Sequence, residues 1–449
     1  MTAAPPAAPA HRPGAARILL IVILVHTAGV FAYSTLWRGL FAADFDVNDF
    51  KAYAAGATAL AAGRPDMLYP DPATLNLGVL PDQPWVKFAM DHGIPHPSAY
   101  IYPPFLAVVL RPLAALPYHR ANQVWFLLNA ALFAASVGLL VTWRRGAVAP
   151  EAAGAIAFAS MNFYPTFRAL QCGQVGMILL FLTAAALWSL ERERDGLAGT
   201  AIAIAAAIKL TPAILIAFFF LAGRHRAGRA SLVAGTACAA VSIAGAGFDN
   251  HVVFLRDFLP TLSRGAATFA NQSLTGFLAR LATGATMNAY EFLEGPPWLG
   301  AASRASSAAV LLASLALGAR AARRGRTAEG LSLVVLGSLL ASPISWEHHF
   351  IAALVPIAVL LVLATESGTV PGWRAGALLA GYALIAVNGY DLVRRYFPYR
   401  LGRLAISQAF FGGGALWLLL AAGRRSDPPA SIAIDAAVPG GSAARAGAS

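Results

Sequence analysis

Three carboxylates, Asp44, Asp46 and Asp49, stand within six positions of one another. They directly follow Ile18–Trp37, an apolar run long enough to cross a bilayer. A carboxylate at that depth is partly desolvated. Its pKa then rises toward the range where it can serve as a general base. The competing reading is a solvated helix start with Asn48 or Asp49 as N-cap. A second ionisable group is more isolated. Lys209 is one of only three lysines and sits deep in the apolar run Leu197–Leu221, beside Thr211 and Pro212. A cation placed there is costly, so it either meets a negative partner, a lipid phosphate or a carboxylate, or snorkels to the interface.

Other polar groups cluster at the ends of apolar runs. Arg168 and Gln171-Cys172-Gly173-Gln174 lie between two of them. They read either as a polar turn or as hydrogen-bonding groups beside a ligand. Tyr53 follows Asp49 by one helical turn. Tyr100 and Tyr102 precede Pro103-Pro104, where aromatic residues serve as interface anchors or as contacts to sugar or lipid. The amides of Asn271-Gln272 could read hydroxyls or simply close a turn. In Ser342-Pro-Ile-Ser-Trp346-Glu347-His348-His349 the two histidines are adjacent. Adjacent positions do not share a helical face, so orienting a carboxylate or binding a phosphate fits better than a two-histidine metal site.

The elements that must hold these groups are apolar helices. The chain has 449 residues, 58% hydrophobic and 12% charged, with mean hydropathy +0.62. Soluble domains carry about 25% charge, so an ordinary cytosolic enzyme is excluded. The net charge of +12 comes from short Arg-rich clusters between apolar runs. That pattern orients a chain in a bilayer and is not a nucleic-acid footprint. The two cysteines form no disulfide framework and no metal-ligand spacing. Further spans are expected at Ala121–Thr142, Ala152–Phe167, Gly173–Leu190, Ala230–Ala246, Ala305–Leu317, Leu331–Ile344, Phe350–Ala364, Ala375–Asn388 and Leu404–Ala422. All basic clusters reach the cytoplasm only if Pro103–Leu116 dips in and returns, and if Leu197–Leu221 breaks at Lys209-Leu-Thr-Pro212 into two half-helices. Irregular backbone at depth needs a protein or polar cavity to cover it. Both adjustments therefore predict a cavity. The polar loops 38–102 and 248–304 then face outward. Cys172 is expected at or just beneath that surface, and Cys238 is expected to be buried.

Together the motifs resemble glycosyltransferase family 87. The resemblance rests on Asp49-Phe-Lys-Ala-Tyr53 with Gly63…Leu68-Tyr69-Pro70, on Tyr102-Pro-Pro-Phe105 and on Gly173-Gln174. It continues through Ile208-Lys209-Leu-Thr211-Pro212, Asn271-Gln-Ser-Leu274 and Ser342-Pro-Ile-Ser-Trp346 with His348-His349. It implies an all-α polytopic membrane protein of GT-C type, with about 10–13 membrane segments by the length rule. It also implies an outward-facing active site that uses a polyprenyl-phosphate sugar, mannose or arabinose, and a glycolipid or glycan acceptor. The Asp-x-x-x-Tyr match carries the catalytic role to Asp49, with Asp44 and Asp46 close by. Lys209 and Arg168 would bind the donor phosphate. Tyr53, Tyr102, Gln174, Asn271, His348 and His349 would bind or orient substrate.

No metal site and no cofactor are called for, and no nucleotide motif is present. The organisation expected is a cytoplasmic tail over 1–17, a transmembrane glycosyltransferase domain over 18–422 and a disordered cytoplasmic tail over 423–449, in the plasma (inner) membrane. Two other classes share parts of the pattern. A lipid-linked sugar flippase or transporter would also show a buried lysine and outer aspartates. A non-catalytic assembly factor would tolerate loss of Lys209 and both histidines.

Overall fold

The computed structural model describes residues 15–41, 48–75, 77, 83–283, 290–366, 370–388, 393 and 399–423. Asp44, Asp46, most of the N-terminal tail and the tail beyond Gly423 lie outside the described residues, so the readings placed on them are not addressed by it.

The described residues form a helical bundle with no strand. The one β-bridge among them joins Asn271 to Trp346. In chain order the main helices are α1 (Ala15–Phe31), α2 (Asn48–Ala61), α3 (Pro104–Leu110), α4 (Tyr118–Val141), α5 (Pro150–Met161), α6 (Tyr164–Cys172), α7 (Gly176–Glu191) and α8 (Asp195–Ile208). They continue as α9 (Ile214–Leu221), α10 (His225–Ala246), α11 (Leu274–Thr283), α12 (Pro297–Arg323), α13 (Thr327–Ala341), α14 (Leu354–Glu366), α15 (Gly372–Ala386) and α16 (Gln408–Ala421). Among the described residues, five helical stretches are long and apolar enough to cross a membrane: Leu19–Phe41, Tyr118–Val141, His225–Ala246, Pro297–Arg323 and Glu347–Glu366. Shorter apolar helices, α7, α8, α13 and α16 among them, accompany these stretches. The protein is therefore an all-α polytopic membrane protein.

Burial tracks position in the bundle. Every residue of α13 except Ser338 is buried, so this helix forms the central post. It packs along α12 and against α16, and α14, α9 and α7 close the other side. α10 presents Leu232, Val233 and Val241 outward, as a lipid-facing helix must. Cys238, expected to be buried, lies on this helix and is half-exposed, because α10 covers α8 with only one face.

Two irregularities position the site, and proline causes both. α3 begins at Pro103-Pro104, where a missing N–H costs nothing, and passes into a 3-10 turn at Arg111–Ala115 that contains Pro112. α8 ends at Ile208, and Lys209 is extended (φ −150°, ψ 131°). The Thr211–Ala213 3-10 turn follows before α9 resumes. Pro212 has no N–H to offer the Ile208 carbonyl four residues back, and its ring would clash with it, so the run breaks where the sequence predicts it.

α12 and α13 touch backbone to backbone at Gly318 and Gly330. A Cβ added to Gly330 would lie 2.4 Å from the Gly318 carbonyl oxygen. Gly330→Ala should therefore force the two helices apart and destabilise the protein by about 1–3 kcal/mol, the usual cost of overpacking. The measurement is the thermal unfolding midpoint in detergent, with Gly235→Ala, at an uncrowded helical position on α10, as the comparison.

Candidate active site

Asp49 sits in the first turn of α2, and Tyr53 follows one turn later on the same face. Opposite them α6 ends in a left-handed residue, Gly173 (φ +64°), a conformation that suits glycine. The Gly173 carbonyl accepts from the Trp125 indole at 2.7 Å, and the Gln174 amide returns to the Ala169 carbonyl at 3.0 Å. This turn aims the Gln174 side chain at α2.

The Gln174 amide is the hub of the site. Its Oε1 accepts from the Tyr53 and Tyr102 hydroxyls, both at 2.9 Å. Its Nε2 donates to Asp49 Oδ2 at 2.6 Å. Two phenols occupy both lone pairs of the carbonyl oxygen, so the amide nitrogen must face the carboxylate. Burial pushes both phenols well above their ordinary range, and they remain donors. Tyr53 and Tyr102 meet edge to face at 5.0 Å. Tyr102 is held in turn by Tyr69, whose hydroxyl donates to the Tyr102 carbonyl at 2.8 Å. Tyr100 and Tyr102 are buried in the interior and do not lie at the surface as interface anchors would.

Asp49 lines a cavity of about 170 Å³ together with Tyr53, Tyr102, Arg168, Gln174 and His348. Burial raises its carboxyl above the usual aspartate range. The Gln174 hydrogen bond and the charges of Arg168 and Lys209 pull it back. His348 is buried, and its Nε2 has no partner.

Lys209 and His349 face a different space. They lie at one end of a mainly apolar groove of about 340 Å³, lined by Ile214, Phe254, Leu259 and Leu262 among others. Lys209 Nζ is 2.6 Å from His349 Nε2 and sits 5.6 Å from the Tyr102 ring centre. Ile101, Tyr102 and Trp346 line both the groove and the Asp49 cavity, so they form the wall between them. A narrow space of about 70 Å³ touches Gln174 on one side and Lys209 and His349 on the other. Ser345 also lines it, with a buried Oγ that has no partner.

The remaining residues singled out in the sequence have other engagements. Arg168 Nε donates to Glu347 Oε1 at 3.1 Å, and the Tyr164 hydroxyl donates to the same oxygen. The guanidinium thus reaches the Asp49 cavity already paired with a carboxylate. Asn271, expected to read substrate hydroxyls, is consumed by backbone. Its Nδ2 donates to the carbonyls of Ala266 and Pro343, and its Oδ1 accepts from the Ser273 and Ser345 amides. It staples the 266–273 loop to the segment carrying the histidines. Arg280 was not singled out. It is 1% exposed and donates to the carbonyls of Thr268 and Asn271 and to Ser407. Its signal in the sequence was a single cation on the amphipathic helix α11.

With this geometry established, comparison with known proteins gives a consistent answer. The family model for glycosyltransferase family 87 matches residues 100–343, more than half of the chain. The chain belongs to glycosyltransferase family 87. A polyprenol-phosphate-mannose-dependent alpha-(1-2)-phosphatidylinositol pentamannoside mannosyltransferase of Mycobacterium tuberculosis is 30% identical over 270 residues. That match spans 59% of this chain and 59% of the relative, less than two thirds of either. Polyprenol-phosphate-mannose-dependent alpha-(1-2)-phosphatidylinositol mannoside mannosyltransferases align over 85% of this chain. The one from Mycobacterium tuberculosis is 26% identical over 84% of its own length, and that from Mycolicibacterium smegmatis is 27% identical over 83%. No solved structure matches this chain significantly. The matched segment begins at Tyr100 and includes Tyr102, Gln174 and Lys209, while Asp49 lies before it.

The hub yields a pH test for this family member. Gln174 lowers the Asp49 pKa against the larger upward push of burial. Were Asp49 the general base, activity would fall as pH drops through its pKa, and the acid limb of kcat/KM should lie above the ordinary aspartate value. Gln174→Leu removes the lowering contact and should shift that limb to higher pH, while also reducing kcat. A uniform fall in rate with an unmoved limb would mean that Gln174 only supports the fold.

Proposed function

We propose that this protein is an inverting glycosyltransferase. It transfers a sugar, mannose in first place, from a polyprenyl phosphate to a glycolipid hydroxyl on the outer face of the membrane. The observation that carries this reading is the pairing of two unlike spaces across one aromatic wall. On one side is a carboxylate of raised pKa, held by Gln174. On the other is an apolar groove with a cation at its end.

The chemistry follows from that pairing. The acceptor hydroxyl occupies the Asp49 cavity, and Asp49 takes its proton as the oxygen attacks the anomeric carbon. The bond from that carbon to the phosphate oxygen breaks, and its electron pair leaves with the polyprenyl phosphate. One displacement inverts the configuration. Lys209 stabilises charge on the departing phosphate, with Ser345 and His349 beside it. Arg168 can help only after yielding Glu347, so Lys209 is the principal cation. The groove accommodates the first apolar units of the lipid tail. The relatives named above act on phosphatidylinositol mannosides, and a lipid-borne acceptor of that class is the first to try here.

The direct experiment incubates purified protein with a small panel of polyprenyl-phosphate sugars, mannose and arabinose included, and assays released polyprenyl phosphate. Release should depend on both donor and acceptor. Asp49→Asn should lower kcat by about 10²-fold or more. The same variant should not lower thermal stability near neutral pH. An aspartate whose folded pKa is raised loses stability as pH climbs from its unfolded value through the raised one, and Asn removes that loss. Full activity in Asp49→Asn would refute the assignment.

The second measurement is initial rate against donor concentration in nanodiscs. Lys209→Met keeps the apolar stem and should weaken donor binding by about 1.5–3 kcal/mol. Lys209→Arg should retain part of the function, because a planar fork does not replace a point charge in a tight site. Unchanged donor dependence in Lys209→Met would remove the phosphate role from this residue.

A further inference from the structure

A cavity of about 470 Å³, larger than either of those above, adjoins the far side of the Lys209 groove and shares Ser263, Ala341 and Pro343 with it. The groove is mainly apolar, whereas this cavity is lined by Arg264, Thr275, Ser303, Arg304 and Ser307. Nothing in the transfer chemistry uses it.

Three observations indicate what it holds. Ser303 is only 4% exposed, lines the cavity and has no partner for its Oγ among the described residues. Ser307, one turn further along the same face of α12, is likewise without one. Two unpartnered hydroxyls facing one space are a vacant set of hydrogen-bonding groups. The charges are unbalanced. Arg264 pairs with Glu294 at 3.1 Å, while Arg304 has no carboxylate partner among the described residues. The cavity also lies at the first turn of α12, a 27-residue helix whose positive end adds to that excess. Finally, the exposed side chains nearby are apolar: Trp298 in the same turn, 60% exposed, and Leu312 further along α12. Trp at this place is an interfacial residue. Hydroxyl donors, a spare guanidinium and an apolar flank together fit an amphiphile with an anionic head.

We propose that this cavity is a second lipid site, for the net-anionic, hydroxylated headgroup of a membrane phospholipid. The phosphate meets Arg304 and Arg264, and the headgroup hydroxyls meet Ser303 and Ser307. The acyl chains run along α12 into the bilayer. The lipid held here is a companion of the reaction and not its substrate, because Asp49 lines another cavity beyond Tyr102. The site goes beyond the transfer reading and does not depend on it.

The test is a binding measurement on the full-length protein, independent of catalysis. Delipidated protein in detergent is titrated with phosphatidylglycerol or with phosphatidylcholine, and retained lipid is counted by native mass spectrometry. A further arm adds inorganic phosphate to the phosphatidylglycerol titration. Phosphatidylglycerol should be retained over phosphatidylcholine, and an equal concentration of inorganic phosphate should not displace it. Arg304→Gln should weaken retention about tenfold, as expected for loss of a charge-assisted contact. Arg304 is exposed, so this variant should fold. Ser303→Ala should weaken it less, and Lys209→Met should leave it unchanged. Equal retention of the two lipids, displacement by inorganic phosphate, or wild-type retention in both Arg304→Gln and Ser303→Ala would overturn the proposal. Loss of the lipid in Lys209→Met would also overturn it, by moving the lipid to the groove. None of these outcomes bears on whether Asp49 and Lys209 support sugar transfer.

Discussion

The site depends on one side-chain amide. Gln174 accepts two phenolic hydrogens and gives one of its own to Asp49. Without it, the carboxylate would face two phenols that compete to donate to it, and nothing would fix which oxygen points into the cavity. With it, both phenols have a defined acceptor and the carboxylate a defined donor, and a buried network hydrogen-bonded in this way is held rigid. The supporting structure is concentrated on that amide. Gly173 supplies the turn, Trp125 holds the turn, and Tyr69 holds the backbone of one of the two tyrosines.

The second constraint is the broken helix at Lys209. Pro212 ends α8, the extended residue turns the side chain inward, and the uncovered backbone is sheltered by the 342–349 segment. That segment is fixed by Asn271, whose amide is wholly engaged with backbone, and the 268–271 carbonyls are fixed in turn by Arg280. The polar loop between α10 and α12 therefore contributes a frame to the site more than it contributes ligands.

Much of this was legible in the sequence, for specific reasons. Proline marks the breaks at Pro103–Leu116 and Lys209-Leu-Thr-Pro212, and its effect on backbone is local. Asp49 and Tyr53 are one turn apart, so their common face follows from helical period. Long-range partners were not legible. Gln174 and Asp49 are 125 positions apart, and Arg168 and Glu347 are 179 apart. An isolated arginine shows no sign of the carboxylate that will occupy it. Asn271 is the instructive case, since a hydroxyl contact and a turn were both open for it in the sequence. An amide that reads a hydroxyl and an amide that staples a loop have the same composition and the same neighbours, and only the packed structure separates them. Ser303 and Ser307 escaped notice because serine is common in apolar helices, where it usually bonds back to its own backbone.

The adjacent histidines have a consequence for how the two chambers relate. His348 faces the Asp49 cavity and His349 faces the Lys209 groove, with their rings nearly perpendicular. A single trans peptide therefore serves as the ruler between the chambers, about 3.8 Å from one Cα to the next. Packing can loosen and side chains can change rotamer, but this span cannot stretch. The two imidazoles are therefore anchored one peptide apart, whichever side of the wall each one faces. Descendants of this sequence are free to reshape the walls of each chamber, but the spacing between them is set by covalent geometry.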